Sequence, residues 1–128
     1  MSETVFFYGE TDGKTATGVF PLDSDILYST VNFIRPDKGM KCEVYVVKVS
    51  GAPVTVFLEQ TEDVTVSPSP SYKAVGSWYL ASAGELHEDE RRPIVLRSRD
   101  GKQAFRFTWS QTTPDKSYIL VKVEFSYE

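Results

Sequence analysis

The chain of 128 residues has a single histidine, His87, and a single cysteine, Cys42. One cysteine excludes an internal disulfide framework and a metal site built from a cysteine cluster. One imidazole leaves few ways to activate a nucleophile, because such chemistry normally needs a histidine oriented by a carboxylate. His87 lies in the charged segment 84–92, where we expect a solvated, non-catalytic imidazole. Cys42 shares a strand face with Val44 and Val46, so we expect an unreactive core thiol.

Long apolar runs and a basic N-terminal segment are also missing. All apolar runs fall far below the ~18 residues of a membrane span. Residues 1–4 carry no positive charge of the kind that begins a signal peptide. We therefore expect no membrane partner and no signal peptide.

The sequence contains no recognised motif for a cofactor. Its eight glycines form no phosphate-binding loop, so no nucleotide cofactor is expected. The acidic groups around His87 and at Asp23 and Asp25 lack the spacing of known calcium or zinc sites, and we interpret both as charged loops. The sequence thus predicts neither a metal nor another cofactor. Glycosidases use a pair of carboxyl groups, and the 18 Asp and Glu residues offer many such pairs. Glycosidase chemistry by carboxylates alone therefore stays open.

The charge balance is mildly acidic, which disfavours a nucleic-acid partner. The chain has 14 Lys and Arg against 18 Asp and Glu, a formal net charge of −4. A basic stripe is nevertheless predicted on or near one hairpin. Its members are Arg91, Arg92, Arg97, Arg99, Lys102 and Arg106. Acidic residues lie within and beside this stripe, so we expect ion pairs within the protein or between subunits, and no nucleic-acid partner.

Alternation of apolar and polar residues is the dominant pattern in the sequence. Segments 118–128 and 103–110 alternate regularly, which predicts half-buried strands. Asp100-Gly101 lies between segments 93–98 and 103–110 and predicts a type I′ hairpin turn. Segments 40–47 and 54–58 predict a second hairpin around Ser50-Gly51-Ala52. Further strands are predicted at 4–8, 15–20, 26–35, 64–67 and 72–81.

About eight to ten short strands without a helical period between them predict an all-β fold. We expect one domain over residues 1–128, an antiparallel β-sandwich of immunoglobulin-like or jelly-roll-like type, with a barrel as the competing closure. A helix at 83–91 would be polar on every side, so we expect a loop there. An apolar content of 41% supplies one core at this length without disulfides or metal.

Aromatic residues are abundant, with eight Phe, seven Tyr and two Trp. Phe105, Phe107 and Trp109 share one strand face and are predicted core residues. In segments 6–8 and 78–79, adjacent rings must point to opposite faces, so some of them are exposed. Exposed rings can anchor a protein interface or stack on sugars, and we favour the interface. The candidate interface residues are Phe6, Phe7, Tyr8, Trp78, Tyr79, Arg91 and Arg92.

The chain is poor in thermolabile side chains. It contains one Asn, three Gln and two Met. This composition is typical of proteins from hot habitats. It predicts a thermophilic source and a high melting temperature.

Three segments of the chain resemble small β-sandwich modules of tailed-phage virions. They are VYVVKVSGAPVTVFLEQTE at 44–62, GSWY at 76–79 and RPIVLR at 92–97. Such modules contain a strand, a small turn, a Val-Thr-Val-x-Leu-Glu strand, a Trp strand, an Arg-flanked strand and a closing strand. The resemblance covers roughly residues 40–127, although residues 60–63 are Gln-Thr-Glu-Asp where many of these modules carry Ser-x-Asp-Gly. It implies a non-enzymatic structural role in a head, neck or tail, often as an oligomeric decoration of the shell.

These observations predict a non-catalytic adhesion protein. We expect a capsid-decorating or other accessory subunit that binds a virion protein and forms a homo-oligomer, a trimer or dimer. Its expected location is the virion, with the cytoplasm as the alternative. The alternative function is a carbohydrate-binding module that stacks sugars on Trp78, Tyr79 or Trp109. An enzyme that uses carboxylates alone is the third class.

Overall fold

A computed structural model describes residues 2–22, 28–30, 32–87 and 92–127. In these ranges the chain forms nine strands and no helix, and hence no helical segment able to cross a membrane. The strands are β1 Ser2–Glu10, β2 Thr17–Val19, β3 Met40–Gly51, β4 Val54–Thr61, β5 Lys73–Leu80, β6 Gly84–His87, β7 Ile94–Arg97, β8 Ala104–Ser110 and β9 Ser117–Tyr127.

The strands form two antiparallel sheets. Sheet A has the order β1-β9-β3, and the far side of β3 pairs with β7 at residues 41–44 and with β6 at residues 48–51. Sheet B has the order β2-β8-β4-β5. The predicted all-β fold and its antiparallel β-sandwich architecture are confirmed.

The core lies between the sheets because the long strands alternate buried and exposed residues. β9, in the middle of sheet A, buries Ile119, Val121, Val123 and Phe125. From sheet B, β4 buries Val54, Val56 and Leu58, and β8 buries Phe105, Phe107 and Trp109. Complete burial of such a side chain contributes about 1.5–3 kcal/mol. The positions that alternate with these residues form the two outer faces of the sandwich.

Both predicted hairpins are wrong, because each pair of strands is divided between the two sheets. β3 and β7 lie in sheet A, whereas β4 and β8 lie in sheet B. Each connection is an arch, in which the apolar faces of the two strands turn towards each other across the core. In the β3–β4 arch, Ala52 N–H donates to Lys116 O at 3.2 Å. In the β7–β8 arch, the buried Gln103 accepts from Arg99 N–H at 2.9 Å and donates to Glu62 O at 3.0 Å.

Three shorter segments also differ from the predictions. The predicted strand at 64–67 is a turn, in which Asp63 Oδ1 accepts the Thr65 N–H at 2.9 Å. The predicted strand at 26–35 has only the isolated bridges of Ser29 with Ile34 and of Ile34 with Phe105 in its described residues, and residues 26, 27 and 31 lie outside them. Residues 84–87 form β6 where a loop is predicted, and residues 88–91 lie outside the described ranges.

Candidate functional site

The outer face of sheet A carries a cluster of exposed and half-exposed rings. On β1, burial of Phe7 turns its neighbours Phe6 and Tyr8 away from the core, and these two side chains are 60% and 61% exposed. β9 and β3 add half-buried side chains at the positions that alternate with their core residues. We call this cluster the aromatic face, and it consists of Phe6, Tyr8, Tyr45, Tyr118 and Leu120.

The cross-strand register brings the members of the aromatic face together. Phe6 lies opposite Lys122 of β9, and Lys122 lies opposite Tyr45 of β3. The Lys122 ammonium lies 4.3 Å from the centroid of the Tyr45 ring, which is a cation–π contact. Further along β1, the rings of Tyr8 and Tyr118 stack with centroids 5.7 Å apart and planes 27° apart. The face is therefore a connected surface that spans three strands.

Ion pairs lie around the aromatic face and, at Lys122, within it. They are Lys48–Glu85 at 2.7 Å, Lys116–Glu10 at 3.2 Å, Lys41–Glu43 at 3.4 Å and Lys122–Glu124 at 4.0 Å. These pairs are partly exposed, so each contributes little to stability. Because each lysine lies beside a glutamate, the border of the face has no strong charge of one sign.

Tyr45 presents a neutral hydroxyl on this face. The hydroxyl donates to Glu43 Oε2 at 2.9 Å. Loss of solvation, followed by the hydrogen bond to Glu43 and the nearby charge of Glu124, raises the pKa of Tyr45 to about 12. The phenol is therefore protonated at neutral pH, and the Lys122 ammonium meets an uncharged ring.

The aromatic residues predicted as sites are divided between surface and core. Phe7 is only 3% exposed and its ring packs against Phe107 with centroids 5.4 Å apart, so Phe7 is a core residue. Trp109 is buried, and Trp78 is partly buried against the core. Tyr79 is 65% exposed on the outer face of sheet B. Of the three rings considered for sugar stacking, Tyr79 alone is largely accessible.

The predicted basic stripe is divided between the two sheets. Arg97 lies in β7 of sheet A, whereas Arg106 lies in β8 of sheet B. The Arg106 Nε–H donates to Glu59 Oε1 at 2.9 Å, and the Arg99 guanidinium forms an ion pair with Glu62. This arrangement agrees with the expectation of ion pairing within the protein for these two arginines.

Several predicted groups lie partly outside the described residues. Arg91 is outside them, and Arg92 is exposed just before β7. Residues 23, 25 and 88–90, which belong to the two acidic clusters, are outside them as well. Within residues 2–22, 28–30, 32–87 and 92–127, no three His, Cys, Asp or Glu side chains are grouped as a metal site would need.

The single histidine and the single cysteine have different surroundings. His87 is exposed on β6, and its Nε2 lies 3.2 Å from Glu85 Oε2. Cys42 is fully buried on β3, as predicted, and burial raises the pKa of its thiol to about 12. The Cys42 thiol is therefore protonated and inaccessible at neutral pH.

A shallow groove of about 360 Å³ crosses the outer face of sheet B. Phe57, Thr108 and the Arg106–Glu59 ion pair contribute to its lining. The Arg106 guanidinium also lies 3.8 Å from the centroid of the Tyr72 ring. Rings beside a few polar groups are typical of small-ligand sites, so this groove is a second candidate surface.

Sequence reasoning identified Phe6 and Tyr8 but missed the other members of the aromatic face. Tyr45, Tyr118 and Leu120 alternate with core residues in the sequence, which indicates a surface position. Their proximity to Phe6 and Tyr8 follows from the order β1-β9-β3, because residues far apart in the chain become neighbours in one sheet. The sequence pattern does not give the order in which the strands pair, and that order was needed to predict the whole aromatic face.

No protein-family model matches this sequence, and no curated protein matches it either. Among solved structures, the chain is similar to a subunit of the disulfide-linked pili of Bacillus endospore appendages. The sequence identity is 9%, the TM-score is 0.43, and the match covers 100% of this chain and 88% of the pilus chain.

Two further solved structures show similarity over most of this chain. One contains the CBM22-1 and GH10 modules of Clostridium thermocellum xylanase 10B complexed with xylohexaose, with 10% identity, a TM-score of 0.44, and coverage of 99% of this chain and 26% of that chain. The other is the glycosylation associate protein (Gap123) complex from Streptococcus agalactiae, with 14% identity, a TM-score of 0.42, and coverage of 95% and 20%. The resemblance to phage virion modules stays a hypothesis.

Proposed function

We propose that this chain is a non-catalytic adhesion domain that binds another protein through its aromatic face. The exposed rings of Phe6 and Tyr8 are the observation that carries this proposal. Single exposed apolar residues are ordinary, whereas a connected exposed patch indicates an interaction site. Here Tyr45, Tyr118 and Leu120 extend the two exposed rings into such a patch.

The chemistry of the face fits a protein partner with an apolar patch of low net charge. Protein interfaces are typically apolar and aromatic at the centre and polar at the rim. The lysines around the face lie beside glutamates, so the rim does not select a polyanion such as nucleic acid. The resemblance to virion modules supports a finer proposal, in which the chain is an accessory subunit located in the virion that decorates and stabilises the capsid or another shell.

A non-catalytic role is part of this proposal. Among the described residues, the hydrogen-bond partner of the His87 ring is Glu85 on an open surface. The Cys42 thiol is buried and protonated. Among the described residues, no hydroxyl or thiol is hydrogen-bonded to the His87 ring, and the Cys42 thiol lies inside the core, so these residues form no nucleophile–base pair.

Co-sedimentation of the tagged chain with particles purified from its source on a density gradient tests the proposal. The wild-type chain is expected to migrate with the particles. The double variant Phe6→Ser/Tyr8→Ser should bind at least about tenfold more weakly, because aromatic anchors contribute more than ~1 kcal/mol each. Tyr79→Ser is the matched control, because Tyr79 is equally exposed but lies on sheet B, and it should bind like the wild type. Failure of the wild type to migrate with the particles, or an equal loss with Tyr79→Ser, would contradict the proposal.

Sugar binding on the outer face of sheet B is the second candidate function. The exposed ring of Tyr79 favours it, together with the groove that contains Phe57 and the Arg106–Glu59 pair. A ring that stacks on a sugar contributes apolar contact while neighbouring polar groups bond its hydroxyls. Gel electrophoresis in the presence of soluble xylan or β-glucan tests this function. Retardation that Tyr79→Ala abolishes, but Phe6→Ser/Tyr8→Ser preserves, would assign sugar binding to sheet B.

A further inference from the structure

Among the described residues, β1 is a regular edge strand of sheet A. It pairs with β9 along its nine residues without a shift in register. In the described part of the chain, no strand pairs with its other side. β1 contains no proline or lysine, and its only charged residues are Glu3 and Glu10. A long, weakly charged edge of this kind is a template for the addition of another strand.

The remaining sheet edges are short or interrupted in the described residues. The opposite edge of sheet A is divided between β6 and β7, which have four residues each. In sheet B, β2 has three residues, and β5 has an irregularity at Val75, which is left without a partner between Gly76 and Ala74. Short strands and bulges protect an edge from unwanted pairing. β1 has neither form of protection.

The backbone groups on the free edge belong to the even-numbered residues of β1. Thr11 N–H donates to Ser117 O at 2.9 Å, which continues the β1–β9 register and identifies a hydrogen-bonded pair. Hydrogen-bonded and non-hydrogen-bonded pairs alternate along an antiparallel ladder, so the odd residues of β1 bond to β9. The even residues direct their N–H and C=O groups towards the free edge. These residues are Ser2, Thr4, Phe6, Tyr8 and Glu10.

We propose that a second copy of this chain occupies this edge, with its β1 antiparallel to the first and the twofold axis at Phe6. In this register every residue of β1 has a partner, and the even residues bond to one another. Glu3 lies opposite the partner's Gly9, and Glu10 lies opposite the partner's Ser2. No two acids face each other, which removes the main repulsion that β1 would otherwise contribute. Lys116 further offsets Glu10 within each subunit, at 3.2 Å.

The proposed dimer joins the two aromatic faces. Phe6 and Tyr8 lie on the outer face of the edge strand, so their copies become neighbours across the twofold axis. A closed twofold arrangement is the commonest form of homo-oligomer, and it presents two binding faces at once to a repetitive shell. The pairing itself requires only the backbone of β1, so it goes beyond the proposed function and does not depend on it.

Sedimentation equilibrium at micromolar concentrations tests the dimer. We expect a mass twice the 14.4 kDa of one chain. Thr4→Pro removes an N–H from the free edge without affecting a bond to β9, and edge strands tolerate proline. The twofold symmetry places the substitution in both subunits, so the dimer loses two hydrogen bonds. The dissociation constant should therefore rise at least about tenfold. Thr4→Val keeps the N–H and should leave the constant unchanged. A monomer at all concentrations, a different oligomer, or an unchanged dissociation constant in Thr4→Pro would overturn the proposal.

A cysteine placed on the twofold axis tests the register and does not depend on how well Thr4→Pro folds. Cα atoms of a hydrogen-bonded antiparallel pair lie ~5.5 Å apart, within the range of a disulfide. Phe6→Cys should therefore form a cross-linked dimer on mild oxidation. Thr4→Cys, which lies opposite the partner's Tyr8, should cross-link at least about tenfold more slowly. Equal rates in the two variants would overturn the register. Particle binding is measured separately, so absence of the dimer would leave the proposed function standing.

Discussion

Gly18 of β2 lies directly against the indole ring of Trp109, its register partner in β8. A Cβ at position 18 would collide with several ring carbons. The ring has little freedom to move, because it packs edge-on against Phe20 with centroids 5.1 Å apart and donates from Nε1 to Thr15 O at 3.4 Å. The short strand β2 therefore depends on the absence of a side chain at this position.

Gly18→Ala should destabilise the fold by about 1–3 kcal/mol, because the added methyl group overpacks the Trp109 site. Thr17→Ala changes the exposed neighbour on the same strand and should cost no more than about 0.5 kcal/mol. Urea denaturation at pH 7 measures both values. Equal costs would mean that β2 separates from β8 easily enough to accommodate a side chain.

Phe107→Ala should cost about 3–5 kcal/mol, because it leaves a cavity at a fully buried position beneath Phe7 and Phe105. The neighbouring substitution Arg106→Ala removes a partly exposed ion pair with Glu59 and should cost about 0–1 kcal/mol. The same denaturant experiment compares the two variants. A cost for Arg106→Ala as large as that for Phe107→Ala would contradict the assignment of the two faces of β8.

The alternation of Phe105, Phe107 and Trp109 was sufficient to predict which face of β8 is buried, but not which sheet contains the strand. Periodicity reports the buried face of a strand, and the same pattern fits a hairpin or an arch. The difference arises from contacts distant in sequence. Ala52 bonds to Lys116, and Gln103 bonds to Glu62, and both contacts hold turns that join the two sheets.

The candidate site was predictable only in part, for the same physical reason. Phe6, Phe7 and Tyr8 are consecutive, so their rings alternate between the two faces of the strand and some of them must be exposed. Because Phe7 is buried, the exposed rings are those of Phe6 and Tyr8. The contribution of Tyr45 and Tyr118 requires the pairing of β1, β9 and β3. Pairing between distant strands depends on the packing of the whole core, which a local pattern does not encode.

The melting temperature should lie above the ~45–65 °C typical of mesophile domains. The composition supports this expectation, because one Asn, three Gln and two Met leave few thermolabile side chains. Differential scanning calorimetry of the wild-type chain at pH 7 measures the midpoint, with protein concentration varied because dimerisation would raise it. A concentration-independent midpoint within the mesophile range would remove the thermophilic interpretation and leave the fold unaffected.

Stability should decrease at alkaline pH because of Cys42 and Tyr45. In the folded chain, burial raises the pKa of the Cys42 thiol to about 12, and the surroundings of Tyr45 raise its pKa to about 12 as well. The corresponding values in an unfolded chain are ~8.5 and ~10. As pH rises, the unfolded state loses these protons first, so the contribution of these two groups to the free energy of unfolding is constant below pH ~8.5 and then falls towards pH 12.

Urea denaturation of the wild type, Cys42→Ala and Tyr45→Phe at pH 7, 9 and 10.5 tests this dependence. The wild type should lose stability by up to ~1.4 kcal/mol per pH unit and per group within each window. Cys42→Ala should flatten the fall between pH 7 and 9. Tyr45→Phe should reduce the fall above pH ~10 without abolishing it, because the pKa values of Tyr8, Tyr28, Tyr72 and Tyr127 are raised as well. A thiol reagent at pH 8 provides an independent control, because Cys42 should react in urea and stay protected in the folded chain. A thiol that reacts quickly in the folded chain, or an unchanged pH slope in Cys42→Ala, would show that position 42 is accessible to solvent and not part of the core.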